Sequence, residues 1–187
     1  MNEIVLEKKE LRKIIRDRKR EYSIEEKKSL SQFIWQKVKN LEIFTKAKTI
    51  LLYWSMDDEV FTHDFIENYY LQKTILLPCV QGNDLILRQY QGKESMRKGD
   101  EFGILEPIGK EFTELHNIDM IIVPGVAFDT SCQRMGRGRG FYDRLLKSTN
   151  CTKIGVCFDF QLVDSVPTND LDVKMDIVIS SSKQYNL

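Results

Sequence analysis

The sequence "MIIVPGVAFDTSCQRMGRGRGFYDRLL", Met120 to Leu146, joins an apolar run to a loop rich in glycine and arginine and then to a segment with helical spacing. Short continuous apolar runs are typical of strands covered on both faces. The sequence therefore predicts a buried strand, a loop that leaves its carboxyl end, and a helix that follows. In open α/β sheets, ligands bind beyond the carboxyl ends of the strands.

Comparable runs recur along the chain and predict strands at Thr49–Trp54, Thr74–Val80, Met120–Val126, Lys153–Phe158 and Asp176–Ser180. Helix-like segments lie between them, notably Thr62–Gln72 and Gly140–Thr149. Strands that alternate with helices indicate a mostly parallel sheet with helices on both faces. The predicted fold class is therefore α/β: a single three-layer α/β/α domain over residues 1–187.

Two further features complete the predicted fold. "VLEKKELRKIIRDRKREY" and "SIEEKKSLSQFIWQKVKNL" have helical spacing of apolar residues, and Ser23 with Glu26 fits a capping box, so two N-terminal helices are expected. "QGNDLILRQYQG" contains a turn signal before an alternating strand, and "RKGDEFGILEP" is polar and extended. These two segments predict a small antiparallel or irregular insert.

Composition excludes several classes of protein. The 187 residues are 42% hydrophobic, and 28 basic side chains balance 28 acidic ones, which argues against disorder and against coating of nucleic acid. No apolar window approaches the roughly 20 residues that span a bilayer, so a cytoplasmic, membrane-free protein is expected. The four cysteines form no C-x-x-C pair, which favours buried thiols over zinc, with Cys132 as the one expected to be exposed.

The loop after the Met120 run has the composition of a phosphate cradle. Glycines at alternate positions let backbone N–H groups approach an anion, and arginines between them supply forked donors. The loop matches neither the Walker A pattern nor the dinucleotide fingerprint, because Phe141 stands where the latter needs glycine. A flexible basic loop that binds no ligand, or binds RNA loosely, remains the alternative.

Carboxylates near this loop suggest a magnesium site. Asp143 lies in the first turn of the following helix, where it could be merely structural or could hold Mg²⁺ beside a phosphate. An acidic group before the last strand could complete the metal site or form a solvated turn, and its members are Asp170, Asp172 and Asp176.

Two other sets of residues are candidates for binding. Lys8 and Arg12 lie four apart on one helix face, which taken alone is usually solvated. Glu59 follows the first strand and could accept hydrogen bonds from a polar ring that packs on Trp54 or Met56. Taken alone, Glu59 is also more typical of a surface position.

The motifs together resemble those of the 5-formyltetrahydrofolate cyclo-ligase family, also called methenyltetrahydrofolate synthetase. "VPGVAFDTSCQRMGRGRGFYDRLL" is similar to the family pattern P-G-x-x-F-D-x-x-G-x-R-L-G-x-G-x-G-Y-Y-D, and "KKELR", "SMDDEV" and "VPTNDLDVKMDIV" occur in the family's order. Cys132 stands at a glycine of the pattern, Met135 at a leucine and Phe141 at the first tyrosine.

The resemblance implies ATP- and Mg²⁺-dependent conversion of 5-formyltetrahydrofolate to 5,10-methenyltetrahydrofolate, with ADP and phosphate released. It implies catalytic roles for Arg137, Arg139 and Tyr142, and metal binding by Asp143 and Asp172. ATP would be bound by Lys8, Lys9, Arg12, Arg134, Met135, Gly136, Arg137, Gly138, Arg139, Gly140, Phe141 and Tyr142. The folate would be bound by Trp54, Met56, Glu59, Arg137, Gly138, Arg139, Gly140 and Phe141.

The implied partners are ATP and a reduced folate, with or without a polyglutamate tail, and the protein is expected to be a monomer that binds no nucleic acid. Two alternatives remain open on the residues alone. An isomerase or binding domain for a sugar phosphate or coenzyme A ester would use the same kind of sheet but would consume no ATP. An RNA-binding module would need a broad basic surface, which the neutral total charge disfavours.

Overall fold

The computed structural model describes residues 3–99 and 103–187. In this part of the chain the α-helices are α1 (Glu3–Lys19), α2 (Ile24–Lys39), α3 (Glu42–Lys46), α4 (His63–Tyr69) and α5 (Phe141–Lys147). The strands are β1 (Thr49–Leu51), β2 (Thr74–Gln81), β3 (Asp84–Gln89), β4 (Met96–Lys98), β5 (Leu105–Pro107), β6 (Met120–Val123), β7 (Ala127–Asp129), β8 (Arg134–Met135), β9 (Thr152–Val156), β10 (Leu162–Val163), β11 (Ile177–Ile179) and β12 (Gln184–Asn186).

A seven-stranded sheet in the order β12-β11-β9-β6-β1-β2-β3 organises the fold. The pairs from β11 to β2 are all parallel, while β12 and β3 are antiparallel edge strands. All five predicted strands lie in this sheet. Four of them end short of the predicted apolar run at one end or both, and the exception is β2. The prediction of an α/β fold with a mostly parallel sheet is confirmed.

Alternate residues of the central strands face opposite sides of the sheet. In β1, Ile50 belongs to a buried cluster with residues of α2, α3 and α4, whereas Leu51 belongs to a second cluster with Leu145 and Leu146 of α5. Because each strand is covered on both faces, its sequence is continuously apolar rather than alternating. This arrangement gives the predicted layers of helix, sheet and helix.

The predicted N-terminal helices and insert are also observed. Ser23 and Glu26 form the expected capping box at the start of α2. The Gly-Asn-Asp signal becomes the turn between β2 and β3, and β4 pairs with β5 as a separate two-stranded antiparallel sheet. Residues 100–102 of the predicted insert lie outside the described residues.

A third, three-stranded sheet in the order β10-β7-β8 follows β6. Helix α1 packs against it, and Ile15 is buried there with Val126, Ala127 and Met135. The small sheet therefore fixes both the N-terminal helix and the glycine-rich loop relative to the main sheet. None of the helices in residues 3–99 and 103–187 combines the length and apolar character needed to cross a bilayer.

Candidate active site

A cleft opens beyond the carboxyl end of β6. Its walls include Pro124 and Gly125, which follow β6 directly, and the segment from Gly136 to Asp143. The cleft thus lies where ligands of open α/β sheets are expected. Of the site residues predicted from sequence, those that line it are Trp54, Met56, Glu59, Arg134, Gly136, Arg137, Gly138, Arg139, Gly140, Phe141, Tyr142 and Asp143.

The turn between β7 and β8 is organised by Asp129, which is 3% exposed. Its Oδ1 accepts hydrogen bonds from the backbone N–H groups of Ser131 and Gln133, at 2.9 and 3.0 Å. Its Oδ2 accepts one from the N–H of Val166, at 2.9 Å. This side chain was not singled out from the sequence, yet it ties the hairpin before the glycine-rich loop to the segment that leads to Asp172.

Cys132 is buried, so the prediction that it is exposed is wrong. It has a φ of 58°, the one positive φ among the described non-glycine residues, and its side chain belongs to the cluster of Leu145 and Leu146. The left-handed backbone of the turn directs the thiol inward, and burial raises its pKa. A glycine occupies this position in the family pattern, because glycine adopts a positive φ without strain.

The five residues 136–140, here called the glycine loop, connect β8 to α5. Gly138 and Gly140 have φ values of 110° and 69°, which side-chain-bearing residues rarely adopt. A Cβ atom at Gly138 would also lie 3.4 Å from the guanidinium of Arg12. The alternating glycines therefore allow both the path of this loop and the close approach of α1.

Arg134 lies just before the glycine loop and is only 3% exposed. Its Nη2 donates to Oδ1 of Asp143 at 2.9 Å, and its Nη1 donates to the carbonyl oxygen of Pro124 at 3.2 Å. Since Asp143 follows the loop, this ion pair joins the two ends of the loop. Arg134 thus stabilises the conformation of the glycine loop.

Arg137, within the loop, reaches two carboxylates. Its Nη2 lies 2.6 Å from Oδ1 of Asp58 and 3.1 Å from Oε1 of Glu59. Glu59 is buried rather than exposed, and its Oε2 accepts the N–H of Met56 at 3.1 Å. Burial raises the pKa of Glu59, with Arg137 opposing that rise. A carboxylate that lines the cleft is therefore held beside a guanidinium.

Helix α1 brings its basic face to the same region. Lys8 Nζ lies 2.5 Å from Oδ2 of Asp172, and Arg12 Nε donates to the carbonyl oxygen of Gly136 at 3.0 Å. Burial lowers the pKa of Arg12, although Asp172 opposes this effect. Lys9 is exposed on the neighbouring face of the helix. Lys8 and Arg12 therefore contact the glycine loop and the acidic segment, rather than forming a solvated surface.

Tyr142 and Trp54 are two of the aromatic residues that line the cleft. The hydroxyl of Tyr142 is buried and has no hydrogen-bond partner among the described residues, and burial raises its pKa well above the ordinary value. The ring of Trp54 stacks on that of His63, with centroids 4.1 Å apart. Met135, in contrast, packs with Ile15 in the core beneath α1 and offers the loop only its backbone.

The acidic residues considered for a metal site lie in two different places. Asp143 Oδ1 accepts the N–H of Val173 at 3.2 Å, so Asp143 lies next to the segment that carries Asp172. Asp176 instead accepts the N–H of Lys153 at 2.7 Å, near the start of β9. Because the cleft lies where the strands end, Asp176 is at the opposite edge of the sheet, and its suggested part in completing a metal site is wrong.

Besides Asp129, two residues of this region were missed by sequence reasoning. Asp58 precedes Glu59 and binds Arg137, and Lys19 of α1 binds Asp58 across 3.0 Å. A signal for Lys19 does exist, because positions 8, 12, 15 and 19 follow one face of a helix at steps of three and four. Continuing the stripe of Lys8 and Arg12 to the end of α1 reaches it.

Comparison with known proteins agrees with this arrangement. The chain matches the profile of the 5-formyltetrahydrofolate cyclo-ligase family over residues 5–181. It is 32% identical to the 5-formyltetrahydrofolate cyclo-ligase of Haemophilus influenzae over 158 residues, which cover 79% of this chain and 84% of that one. It is 30% identical to the Escherichia coli protein of the same name over 182 residues, 92% of this chain and 99% of that one.

A solved structure agrees as well. The NMR structure of Aquifex aeolicus 5,10-methenyltetrahydrofolate synthetase superimposes with a TM-score of 0.86 at 33% sequence identity, and the match covers 96% of this chain and 92% of that one. The match thus spans nearly the whole chain. The chain is therefore an enzyme that belongs to the 5-formyltetrahydrofolate cyclo-ligase family.

Proposed function

We propose that this enzyme converts 5-formyltetrahydrofolate to 5,10-methenyltetrahydrofolate, consuming ATP in the presence of Mg²⁺ and releasing ADP and phosphate. The observation that carries the proposal is a cleft lined by the arginine-and-glycine loop and by the buried carboxylate of Glu59, with the basic face of α1 packed on the loop through Arg12. Such a site offers donors for a triphosphate on one side and an acceptor for a polar ring on the other.

The folate end of the cleft is formed by Trp54, Met56 and Glu59. Apolar side chains of β2 and the β2–β3 hairpin, Pro78, Val80 and Leu85, also line the cleft. The lining of the cleft is mostly apolar with a few polar groups, as is typical of sites that bind small molecules. The pterin ring packs against these apolar groups, and the carboxylate of Glu59 accepts hydrogen bonds from its ring and amino N–H groups.

The ATP end is formed by the glycine loop and α1. Arg137 and Arg139 extend from the loop with exposed side chains, and Lys8 and Arg12 approach from the helix. Guanidinium groups bind phosphate through paired N–H donors. Lys9 is exposed beside Lys8 and serves the outer end of the nucleotide. Arg134 and Met135 act indirectly, by fixing the position of the loop.

The residues present also fit a magnesium ion. Among the described residues, the hydrogen bonds of these carboxylates engage Oδ1 of Asp143 and Oδ2 of Asp172, so the second oxygen of each is available to a cation. Mg²⁺ is usually held by one or two carboxylates together with substrate phosphates. When bound with ATP, the ion would neutralise negative charge on the phosphate oxygens.

The chemistry follows from the low reactivity of a formamide. Resonance with N5 makes the formyl carbon a poor electrophile, so the formyl oxygen first takes the γ-phosphoryl group of ATP, and ADP leaves. N10 then attacks the activated carbon, loses its proton, and the phosphorylated oxygen departs as inorganic phosphate. Transfer of the phosphoryl group depends mainly on in-line positioning and on neutralisation of charge.

The chain's own groups serve these steps in different ways. Arg137 and Arg139 bind the oxygens of the transferred phosphoryl group, where preorganised donors are most effective. Tyr142 lines the cleft, and its buried hydroxyl, which has no partner among the described residues, donates to the formyl oxygen or its phosphate. Burial of the tyrosine disfavours its ionised form, so it keeps its proton as a donor.

The test mixes purified protein, 5-formyltetrahydrofolate and Mg-ATP and follows the absorbance of the methenyl product and the release of ADP. We expect one ADP per product, with no reaction when ATP is omitted and strong inhibition by a chelator that is reversed by added Mg²⁺. Folded protein that forms no methenyl product would refute the proposal. Product formed without ADP would refute the phosphorylation step.

The proposal also covers the domain, the oligomeric state, the cellular location and the polyglutamate tail of the substrate. Residues 1–187 act as one cyclo-ligase domain, as a monomer in the cytoplasm, on reduced folates with or without a polyglutamate tail. Light scattering under assay conditions tests the oligomeric state, and comparison of KM for mono- and pentaglutamyl substrates tests the preference for the tail.

A further inference from the structure

A group of four charged side chains joins the end of α1 to the cleft. Its members are the cations Lys19 and Arg137 and the carboxylates Asp58 and Glu59, here called the four-charge cluster. Glu59 and Arg137 line the cleft, whereas Lys19 lies behind them. Lys19 has no role in the proposed function.

Lys19 is unusual for the last residue of a surface helix, because it is only 7% exposed. Lysine is rarely buried unless it is paired. Its Nζ lies 3.0 Å from Oδ2 of Asp58, and burial lowers its pKa while Asp58 opposes that effect. A lysine that served only to solubilise the helix end would extend into water, as its neighbour Arg20 does.

Asp58 connects Lys19 to the cleft. One of its oxygens, Oδ2, accepts from Lys19, and the other, Oδ1, accepts from Nη2 of Arg137 at 2.6 Å. The same Nη2 atom donates to Oε1 of Glu59 at 3.1 Å. Asp58 is therefore shared between a buried cation and a cleft arginine, and Arg137 is shared between two carboxylates.

The charges of the cluster sum to zero only when Lys19 is included. Without Lys19, the single guanidinium of Arg137 would face two carboxylates, and the cluster would carry one net negative charge beside the proposed phosphate site. Arg137 would then be held by Asp58 and Glu59 and would offer less positive potential to an anion.

We propose that Lys19 is a positioning residue that, through Asp58, keeps the guanidinium of Arg137 available to the phosphates of the nucleotide. This inference rests on the proposed function, since it assigns a support to one of its phosphate-binding arginines. Lys19 touches no substrate; its effect is transmitted by the charge it supplies to Asp58.

The experiment compares Lys19→Met, which keeps the aliphatic stem but removes the charge, with Arg20→Met at the exposed position that directly follows the helix. We expect Lys19→Met to raise KM for ATP about tenfold at saturating folate, with kcat within about threefold of wild type. Arg20→Met should leave both unchanged. Lys19→Arg, which restores a cation, should return KM for ATP towards the wild-type value.

The decisive variant is the double substitution Lys19→Met/Asp58→Asn. Asparagine can still accept from Arg137, and the cluster is again neutral, so KM for ATP should fall back to within about threefold of wild type. A lysine that merely filled space would not be rescued by a change at Asp58. If Lys19→Met alone does not fold, the double variant, which leaves no unpaired buried charge, carries the test.

The outcomes separate this inference from the proposed function. A wild-type enzyme that makes no methenyl product refutes the proposed function itself. An active wild type with a normal KM for ATP in Lys19→Met, or a double variant with KM still raised tenfold, overturns the role of Lys19 alone.

Discussion

Arg134 and Asp143, which flank the glycine loop in sequence, form an ion pair with Nη2 of the arginine 2.9 Å from Oδ1 of the carboxylate. The pair closes the loop at its base, where the arginine is almost wholly inaccessible to solvent. The resemblance to the family places Arg134 among the ATP ligands, but the geometry favours a structural role. This difference can be measured.

Arg134→Met should lower the free energy of unfolding by about 3 kcal/mol, because it leaves a partly buried carboxylate without its partner. Arg144→Met, which removes an exposed arginine from α5, should cost less than about 1 kcal/mol. Urea unfolding followed by circular dichroism provides both values. A loss below 1 kcal/mol at Arg134 would instead favour a guanidinium that is free to turn towards phosphate.

Arg139→Ala should lower activity and leave stability nearly unchanged, unlike Arg134→Met, which should lower stability. The side chain of Arg139 is exposed, so unfolding should change by no more than about 0.5 kcal/mol. Loss of a preorganised donor at a phosphoryl group typically lowers the rate by ~10²–10³. The check is kcat for methenyl product together with an unfolding curve on the same preparation, and near-normal turnover would remove Arg139 from the catalytic set.

Tyr142→Phe separates catalysis from stability in a different way. The hydroxyl has no partner among the described residues, so its removal should leave the free energy of unfolding unchanged or slightly higher. Turnover should nevertheless fall at least about tenfold if the hydroxyl donates to the reacting oxygen.

Tyr53→Phe is the matched control for stability. The Tyr53 hydroxyl donates to the carbonyl oxygen of Val60 at 2.9 Å, so its loss should cost about 1 kcal/mol. If Tyr142→Phe destabilised the protein as much as Tyr53→Phe, the Tyr142 hydroxyl would have a structural partner and the argument for a free donor would fail.

Because Glu59 is buried, we expect the affinity for folate to depend on pH. Burial raises the pKa of Glu59 above the ordinary 4.5, and the proposed acceptor is the ionised form. Affinity for 5-formyltetrahydrofolate should therefore fall as the pH drops through this raised pKa. Calorimetric titrations without ATP, from about pH 5 to pH 8, test this, and Glu59→Gln should bind weakly but without the acid limb.

The raised pKa of Glu59 also determines how its contribution to the free energy of unfolding changes with pH. Because the folded-state pKa of Glu59 lies above the unfolded value, its contribution to stability is complete below the unfolded pKa and is lost as the pH rises through the folded pKa. Glu59→Gln should therefore gain stability relative to wild type as the pH rises above the ordinary glutamate pKa and through the raised one. A difference that is flat with pH would contradict the burial of this carboxylate.

Cys132 offers a test of backbone strain. Glycine usually costs about 0.5–1 kcal/mol relative to alanine within regular structure, because of its greater freedom in the unfolded chain. At Cys132, where φ is 58°, glycine should be tolerated at least as well as alanine. At Cys79 in β2, glycine should show the ordinary penalty. Equal penalties at both positions would contradict a left-handed conformation at Cys132.

The sequence predicted the elements of the fold well, because they depend on neighbouring residues. Continuous apolar runs marked the parallel strands, and the capping box marked the start of α2. Their lengths were predicted less well: the run Thr49–Trp54 yields a strand of only Thr49–Leu51, since its paired residues on β2 and β6 end at Leu76 and Ile121. Strand bounds depend on partners that local patterns do not specify.

The site was predicted in composition but not in its pairings. The glycine loop, Glu59, and Lys8 with Arg12 were candidates from residue types and spacing. The structure places the loop and Glu59 in the lining of one cleft, packs Arg12 against the loop and pairs Lys8 with Asp172. Asp129 and the inward turn of Cys132 were not, because each depends on a backbone conformation set by the β7–β8 hairpin.

The sequence by itself determined an α/β sheet and a loop whose glycines and arginines suit a phosphate, since dihedral preference and charge are properties of short segments. Only the tertiary structure decided which charges meet. Arg137 and Asp58 are 79 residues apart, and Lys8 and Asp172 are 164 apart. Contacts at such separations arise when the chain closes around a common core, so no local pattern encodes them.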